Sequence, residues 1–291
     1  MTKDTDMPIT SSAVQVELNI SVWTANKLDR NVTDTVLSSN GASRGSGKFT
    51  KNLMAGTHHR KEIADFAAAC RMWHNTQTLP WADRGPRILP MSLFLDYKQE
   101  ANTRQQEFEA MVDNFMSQYE HLKQIARASL GTLDNEDDYP SEEEVRSKFG
   151  FRLVISPIPE SKDFRLDIPQ QDLEEAMENY EQDFNTRIAD AMREPWNKLH
   201  KMLTGMSERL TDIDGPAQEK KRWHDAFITN AQHLCSMLTH LNITGDPDLE
   251  TARKQLELTM LGADIDDIKY NPQARETMKT KVDSILEQFN W

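Results

Sequence analysis

The sequence predicts a mainly α-helical α+β protein: a long antiparallel helical hairpin or bundle with a small antiparallel β-sheet of about three strands. Three observations support this fold class. Two long segments within residues 105–214 repeat apolar residues at steps of three and four, the spacing of one helix face. A short segment between them alternates apolar and polar residues, and so does a segment near the N-terminus. Alternation with period two is typical of β-strands.

The N-terminal region contains the clearest strand pattern in the chain. Residues 1–12 are polar and are expected to form a flexible tail. Apolar residues then alternate with polar ones at Val14, Val16, Leu18 and Ile20. We expect this strand to join the alternating segment at residues 149–155 in one sheet.

The region after this strand is expected to contain two helices, a loop and a connector. Residues 24–37 predict a short helix, and the Gly- and Ser-rich stretch 38–47 predicts a flexible loop. Residues 57–76 predict a helix with Thr57 as its N-cap. The stretch 79–90 is expected to be irregular, because each of its prolines removes a backbone donor and restricts the preceding residue.

The two heptad runs should bury their apolar stripes, because such a stripe is unstable alone in water. The first run comprises Phe108, Val112, Phe115, Tyr119, Leu122 and Ala126. The second comprises Leu173, Met177, Tyr180, Phe184, Ile188 and Ala191, and continues through Leu199, Met202, Met206 and Leu210. We expect the two runs to pair with each other, and Pro195 to kink or break the second run.

The segment between the runs predicts a β tip. Residues 149–155 and 164–168 each alternate in hydrophobicity and read as a small hairpin. Ser141 and Glu144 before it fit a capping box, in which each residue bonds the other's backbone at a helix start. We expect residues 13–214 to form the helical stalk with its sheet, and residues 215–291 a C-terminal helical subdomain.

Composition excludes several classes of protein. The formal net charge is −13, which argues against a surface that is basic throughout. With only two cysteines there is no disulfide framework, and the residue spacings predict no metal site, cofactor or catalytic centre. No stretch is long and apolar enough for a membrane span. We therefore expect a non-enzymatic protein of the cytoplasm that does not associate with membranes.

Charge is unevenly distributed along the chain. Residues 40–90 carry eight basic and three acidic residues, whereas residues 131–183 carry sixteen acidic and five basic ones. This asymmetry fits pairing between segments of one chain, head-to-tail self-association, or a local anion site.

Two sets of residues are candidates for binding. For protein partners, we select charged residues at the expected tip and its acidic flank: Glu142, Glu143, Arg152 and Arg165. The alternative is a nucleic-acid-binding accessory factor whose phosphate-facing patch comprises Arg44, Lys48, Lys51, Arg60, Lys61 and Arg71. In that alternative Trp73 and Trp81 would stack on bases, although both equally fit a core position.

The order of these segments resembles a known family. It is carried by Val-Gln-Val-Glu-Leu-Asn-Ile-Ser-Val-Trp at residues 14–23, a basic helix after a Gly/Ser loop, a long helix, and Tyr-Pro-Ser-Glu-Glu-Glu-Val-Arg-Ser-Lys-Phe-Gly-Phe at residues 139–151. Over residues 14–210 the chain is similar to uncharacterised proteins of bacteriophages and bacterial mobile elements, classed as a domain of unknown function. The resemblance implies a phage or mobile-element accessory protein that works with a MoxR-type AAA+ ATPase.

Overall fold

The computed structural model describes residues 9–82, 85–159, 170–211 and 226–291. It is mainly helical with a small antiparallel sheet, which confirms the predicted fold class. The chain divides into two compact units. One, here called the helical unit, comprises Met1–Glu17, Asn75–Tyr97 and Ile155–Trp291. The other, here called the mixed unit, comprises Leu18–His74 and Lys98–Val154.

The strands form a four-stranded sheet and a two-stranded ribbon. Their bounds are β1 Ala13–Ser21, β2 Asn26–Leu28, β3 Thr50–Asn52, β4 Leu79–Pro80, β5 Arg87–Pro90 and β6 Gly150–Ser156. The sheet order is β4-β5-β1-β6, and β2 pairs with β3. β1 runs antiparallel to β5, with Ala13 opposite Pro90 and Val16 opposite Arg87. The predicted strands β1 and β6 thus share one sheet, as expected, while residues 164–168 lie outside the described residues.

Strands β4 and β5 correct the expectation of an irregular connector at residues 79–90. Leu79 pairs with Ile88 and Pro80 with Arg87. Pro80 and Pro90 stand at the last positions of their strands, where a missing N–H interrupts little of the ladder. Both Ile88 and Leu79 are fully buried, so burial of short apolar segments outweighs the proline signal.

The helices are α1 Ile9–Ser12, α2 Arg30–Ser39, α3 His59–Gln77, α4 Phe94–Ser117, α5 Tyr119–Leu130, α6 Glu142–Arg146, α7 Gln170–Leu210, α8 Ala226–Leu241, α9 Pro247–Met260, α10 Ile265–Tyr270 and α11 Pro272–Gln288. Two expectations need correction. The last residues of the predicted tail form α1. Thr57 is not an N-cap acceptor, because its hydroxyl donates to the carbonyl oxygen of Met54 at 2.8 Å. None of the described helices is long and apolar enough to cross a membrane.

The mixed unit is built around the first heptad run. All six of its residues are buried, as predicted, on α4 and α5. Phe115 lies at the centre, with its ring 6.4 Å from that of Trp23 and 5.7 Å from that of Phe149. Ile63 of α3 and Val145 of α6 belong to the same core. The apolar stripe of the first run is thus buried in this core, as its heptad spacing predicts.

The helical unit is built around α7, which packs against α8, α9, α11 and β4. From Ile188 onward the second heptad run is buried except at Met202, whereas its earlier residues are half-buried. Each run therefore finds its packing partners in its own unit, which differs from the expected pairing of the two runs with each other. Pro195 is buried inside α7 and the helix continues through it, so the predicted break is wrong.

The predicted domain boundary after residue 214 lies outside the described residues. The helices on either side of it, α7 and α8, pack against each other and belong to the helical unit. The mixed unit is formed from two separate stretches of chain. Its long-range contacts cannot be read from local pattern alone.

Candidate interaction groove

A groove of about 540 Å³ lies between the second half of α7 and α8 in the helical unit. It is lined by Thr76, Lys198, Lys201, Met202, Gly205, Met206, Arg209, Ala226, Phe227, Asn230, His233, Leu234, Met237 and Leu241. Apolar side chains from the stripes of both helices line this space.

The floor of the groove is rich in methionine. Met202, Met206 and Met237 line it together with Phe227 and Leu241. Met206 is 2% exposed and Met237 is 8% exposed, so their side chains are part of the core as well as of the groove wall. Unbranched thioether side chains adapt to irregular shapes and are common at surfaces that accept protein helices.

Gly205 opens the wall of the groove. It lies inside α7, where glycine destabilises a helix relative to alanine. A Cβ atom placed on it would meet no heavy atom of the described residues within 4 Å. Packing among the described residues therefore does not require glycine here, and on their account the backbone of α7 is open to close approach from the groove side.

Basic side chains surround this apolar floor. Lys198, Lys201 and Arg209 of α7 and His233 of α8 line the groove, and the described lining residues include no aspartate or glutamate. Lys198 Nζ lies 2.9 Å from the Glu194 carboxylate, which reduces its net contribution. In a chain with net charge −13, an apolar groove with a basic rim is a local departure from the average surface.

The mixed unit contains a second concavity, of about 590 Å³, which is polar and centred on Lys51. Lys51 is 6% exposed. Its Nζ lies 2.6 Å from Asp138 Oδ2 and 3.5 Å from Asp29 Oδ2, and donates to the carbonyl oxygen of Leu133 at 2.7 Å. Three acceptors match the three N–H donors of an ammonium group, so Lys51 acts as an internal fastener.

Hydrogen bonds in this cluster shift the pKa values of Lys51 and Asp29 toward their charged forms. The hydrogen bond from Lys51 to Asp138 raises the pKa of Lys51. The backbone N–H of Val32 holds the pKa of Asp29 below its usual range. A lysine whose pKa is raised stays protonated at neutral pH, so Lys51 is unsuited to act as a nucleophile or general base.

The other residues of the expected nucleic-acid patch lie on the mixed unit in several different settings. Arg44 and Lys48 are exposed in the loop after α2. Arg60 donates to the carbonyl oxygen of Trp23 at 3.3 Å, and Arg71 to that of Ile20 at 2.7 Å. Lys61 pairs with Asp65 at 2.5 Å. Because Lys51 faces inward, the six residues do not form the solvent-facing patch that the nucleic-acid hypothesis requires.

Trp81 was expected either to stack on bases or to lie in the core, and it lies in the core. It is 7% exposed, and its ring lies 5.4 Å from that of Phe184. Trp73 is half-buried beneath the Arg104 guanidinium, 4.8 Å from the ring centroid. A buried ring offers no face for stacking on a base.

The structure describes three of the four residues that are expected to bind protein partners, and all three are exposed. Glu142 and Glu143 are exposed in the first turn of α6, and Arg152 is exposed on β6. Glu144 completes the predicted capping box with Ser141. Arg165 lies outside the described residues. Sequence reasoning thus chose exposed charges and missed the groove, whose signals were the methionines of the stripes and the glycine inside α7.

The uneven charge of the chain is compensated internally at one point. Lys51 belongs to the basic stretch and Asp138 to the acidic stretch, and their contact joins the two within one molecule. Lys27 lies 3.6 Å from the same carboxylate. Pairing within the chain therefore accounts for part of the asymmetry.

Fold and groove together define a mainly helical α+β protein with an apolar, basic-rimmed groove in its helical unit. No protein-family model matches the chain, and neither the curated proteins nor the solved structures contain a match to it. The resemblance to phage and mobile-element proteins stays an expectation from the sequence.

Proposed function

We propose that this protein is a non-enzymatic accessory or scaffold protein that binds a helix of a partner chain in the groove between α7 and α8. The observation that carries the proposal is the methionine-lined floor beside Gly205. Apolar surface that packing among the described residues leaves open is the usual mark of a site for an apolar partner.

The dimensions of the groove favour a helix as its occupant. Its α7 wall extends from Lys198 to Arg209. At about 1.5 Å per residue this wall is roughly 16 Å long, the length of about three helical turns. An amphipathic helix would place its apolar stripe on the methionine floor and approach the backbone closely at Gly205. Polar groups of the rim would then remain in contact with solvent.

Site-specific photo-crosslinking in cells tests the proposal. A photoreactive phenylalanine analogue is placed at Lys201, which lines the groove, or at Arg193, an exposed control on the same helix outside it. We expect position 201, and not position 193, to form an adduct with a defined protein. Gly205→Trp should abolish this adduct by filling the groove while leaving the circular dichroism spectrum unchanged. Identical products from both positions, or none from position 201, would contradict the proposal.

Mass spectrometry of the adduct also addresses the expected partner. The resemblance described above implies an AAA+ ATPase of the MoxR type. Recovery of such an ATPase at position 201 would support that expectation. Recovery of a different protein would support the groove as a binding site and would contradict the ATPase as its partner.

A further inference from the structure

The first half of α7 carries an apolar stripe that the helical unit covers only in part. Leu173, Met177, Tyr180 and Phe184 are half-buried, and the first buried residue of α7 is Ile188. Tyr180 donates to the carbonyl oxygen of Pro159 at 2.7 Å, and Phe184 contacts Trp81. Leu173 and Met177, nearest the start of the helix, are thus partly exposed like the rest of this part of the stripe.

Acidic residues flank this stripe. Between residues 170 and 186 they are Asp172, Glu174, Glu175, Glu178, Glu181 and Asp183, and no basic residue occurs there. This half of α7 is thus an amphipathic helix with an acidic polar face. Its chemistry complements the groove, which has an apolar floor and a basic rim.

The stripe cannot reach the groove of its own chain. Both belong to α7, a continuous helix of 41 residues. Met177 and Gly205 are separated by roughly 40 Å along the helix axis at about 1.5 Å per residue. Any pairing between these two surfaces must therefore join two copies of the protein.

We propose that the groove binds the first half of α7 from a second copy, so that the protein assembles head to tail. This inference rests on the proposed function and names the partner as the protein itself. The two surfaces in contact are different, so each copy keeps one free groove and one free stripe after pairing. Such an interface adds further copies until a ring closes, or it continues as a filament.

Light scattering coupled to size-exclusion chromatography of the full chain tests this directly. We expect a mass at least twice that of the monomer at about 50 mM salt, falling toward the monomer on dilution. Raising salt to about 500 mM should weaken association about tenfold or more, because screening acts on the charged rim. Lys201→Glu in the groove and Glu178→Lys beside the stripe should each abolish assembly. Both positions are exposed, and circular dichroism should show that both variants fold.

Mixing the two variants provides the sharpest readout. The Lys201→Glu copy keeps an intact stripe and the Glu178→Lys copy keeps an intact groove. Two interfaces are possible in the mixture, the wild-type one and the charge-reversed one between the two substituted surfaces, so we expect the mixture to regain a mass above that of the monomer while each variant alone stays monomeric. A wild-type protein that is monomeric at every concentration, or variants that retain the wild-type mass, would overturn the inference. A monomer that still crosslinks a different protein at position 201 would overturn self-assembly and leave the proposed function standing.

Discussion

Lys51 shows how one side chain can join distant parts of the mixed unit. It extends from β3 to the Asp29 carboxylate, which caps α2 by accepting from the Val32 N–H at 3.0 Å. It also binds Asp138 and the carbonyl oxygen of Leu133, which is 82 residues away in the chain. Removing the ammonium group would leave the Asp138 and Asp29 carboxylates without their shared counterion in a partly buried position.

The pH dependence of this cluster follows from the pKa shifts. The pKa of Lys51 is raised, so its contribution to stability is full below the unfolded-state value of about 10.4 and is lost as pH rises through the folded value. The pKa of Asp29 is lowered, so its contribution is present above about 3.9 and is lost as pH falls through the folded value. Between these limits both Lys51 and Asp29 are ionised.

We predict that Lys51→Met lowers the free energy of unfolding by about 2 kcal/mol at pH 7, measured by urea denaturation. The difference from the wild type should shrink above about pH 10.4, which distinguishes lost charge from lost packing. Lys61→Met is the matched control, since Lys61 forms an exposed pair with Asp65 and its loss should cost under about 0.5 kcal/mol. Equal effects of the two substitutions would contradict the assignment of Lys51 as a fastener.

Sequence alone assigned Lys51 to a basic patch because its neighbours in the chain share its sign. Its acceptors come from other segments, and nothing local marks it as buried. Glu142 and Glu143, by contrast, were correctly placed at an exposed helix start, because the capping box of Ser141 and Glu144 is a local signal.

At the scale of elements, hydrophobic period was a reliable guide wherever one face of an element is buried. β1 and the stripe of α4 and α5 lie where their spacing predicted. Two of the failures involve proline: β4 and β5 form despite it, and α7 continues through Pro195. In both places burial in the tertiary structure outweighs the local cost of proline. Rules based on sequence consider that cost without the tertiary contacts.

The two glycines Gly205 and Gly131 allow a controlled test of the groove wall. An added Cβ would meet no atom of the described part of the chain within 4 Å at either position. Gly205 lies inside α7, whereas Gly131 caps α5 with a φ of 54°. We predict that Gly205→Ala raises the free energy of unfolding by about 0.5–1 kcal/mol. Gly131→Ala should lower it by about 1 kcal/mol, because side chains other than glycine are strained at positive φ.

Thermal denaturation followed by circular dichroism measures both changes. Stabilisation by Gly205→Ala would show that the fold does not require glycine at this position and that glycine lowers the free energy of unfolding there. A destabilised Gly205→Ala variant would instead mean that glycine has a packing role in α7, and the argument for an open groove wall would fail.

The whole molecule is organised as two units whose cores draw on different helices. The mixed unit buries Phe115 among Trp23, Tyr119 and Phe149, while the helical unit buries Leu203 on α7. Sequence reasoning expected one stalk and a separate C-terminal part, because it paired the two strongest helical stripes with each other. The observed division depends on contacts between segments far apart in the chain, and periodicity carries no information on which stripe meets which.

Separate cores predict separate responses to cavities. Phe115→Ala and Leu203→Ala each remove a fully buried side chain and should cost about 3–5 and 2–5 kcal/mol, respectively. In native-state hydrogen exchange, Phe115→Ala should accelerate exchange mainly in α4 and α5. Leu203→Ala should do so mainly in α7, α8 and α11, since opening free energies belong to cooperative units. Leu95→Ala, at a side chain 77% exposed, is the control and should change neither set. A uniform acceleration across both units from either core variant would mean that the two cores unfold together, and the groove would then share its stability with the mixed unit.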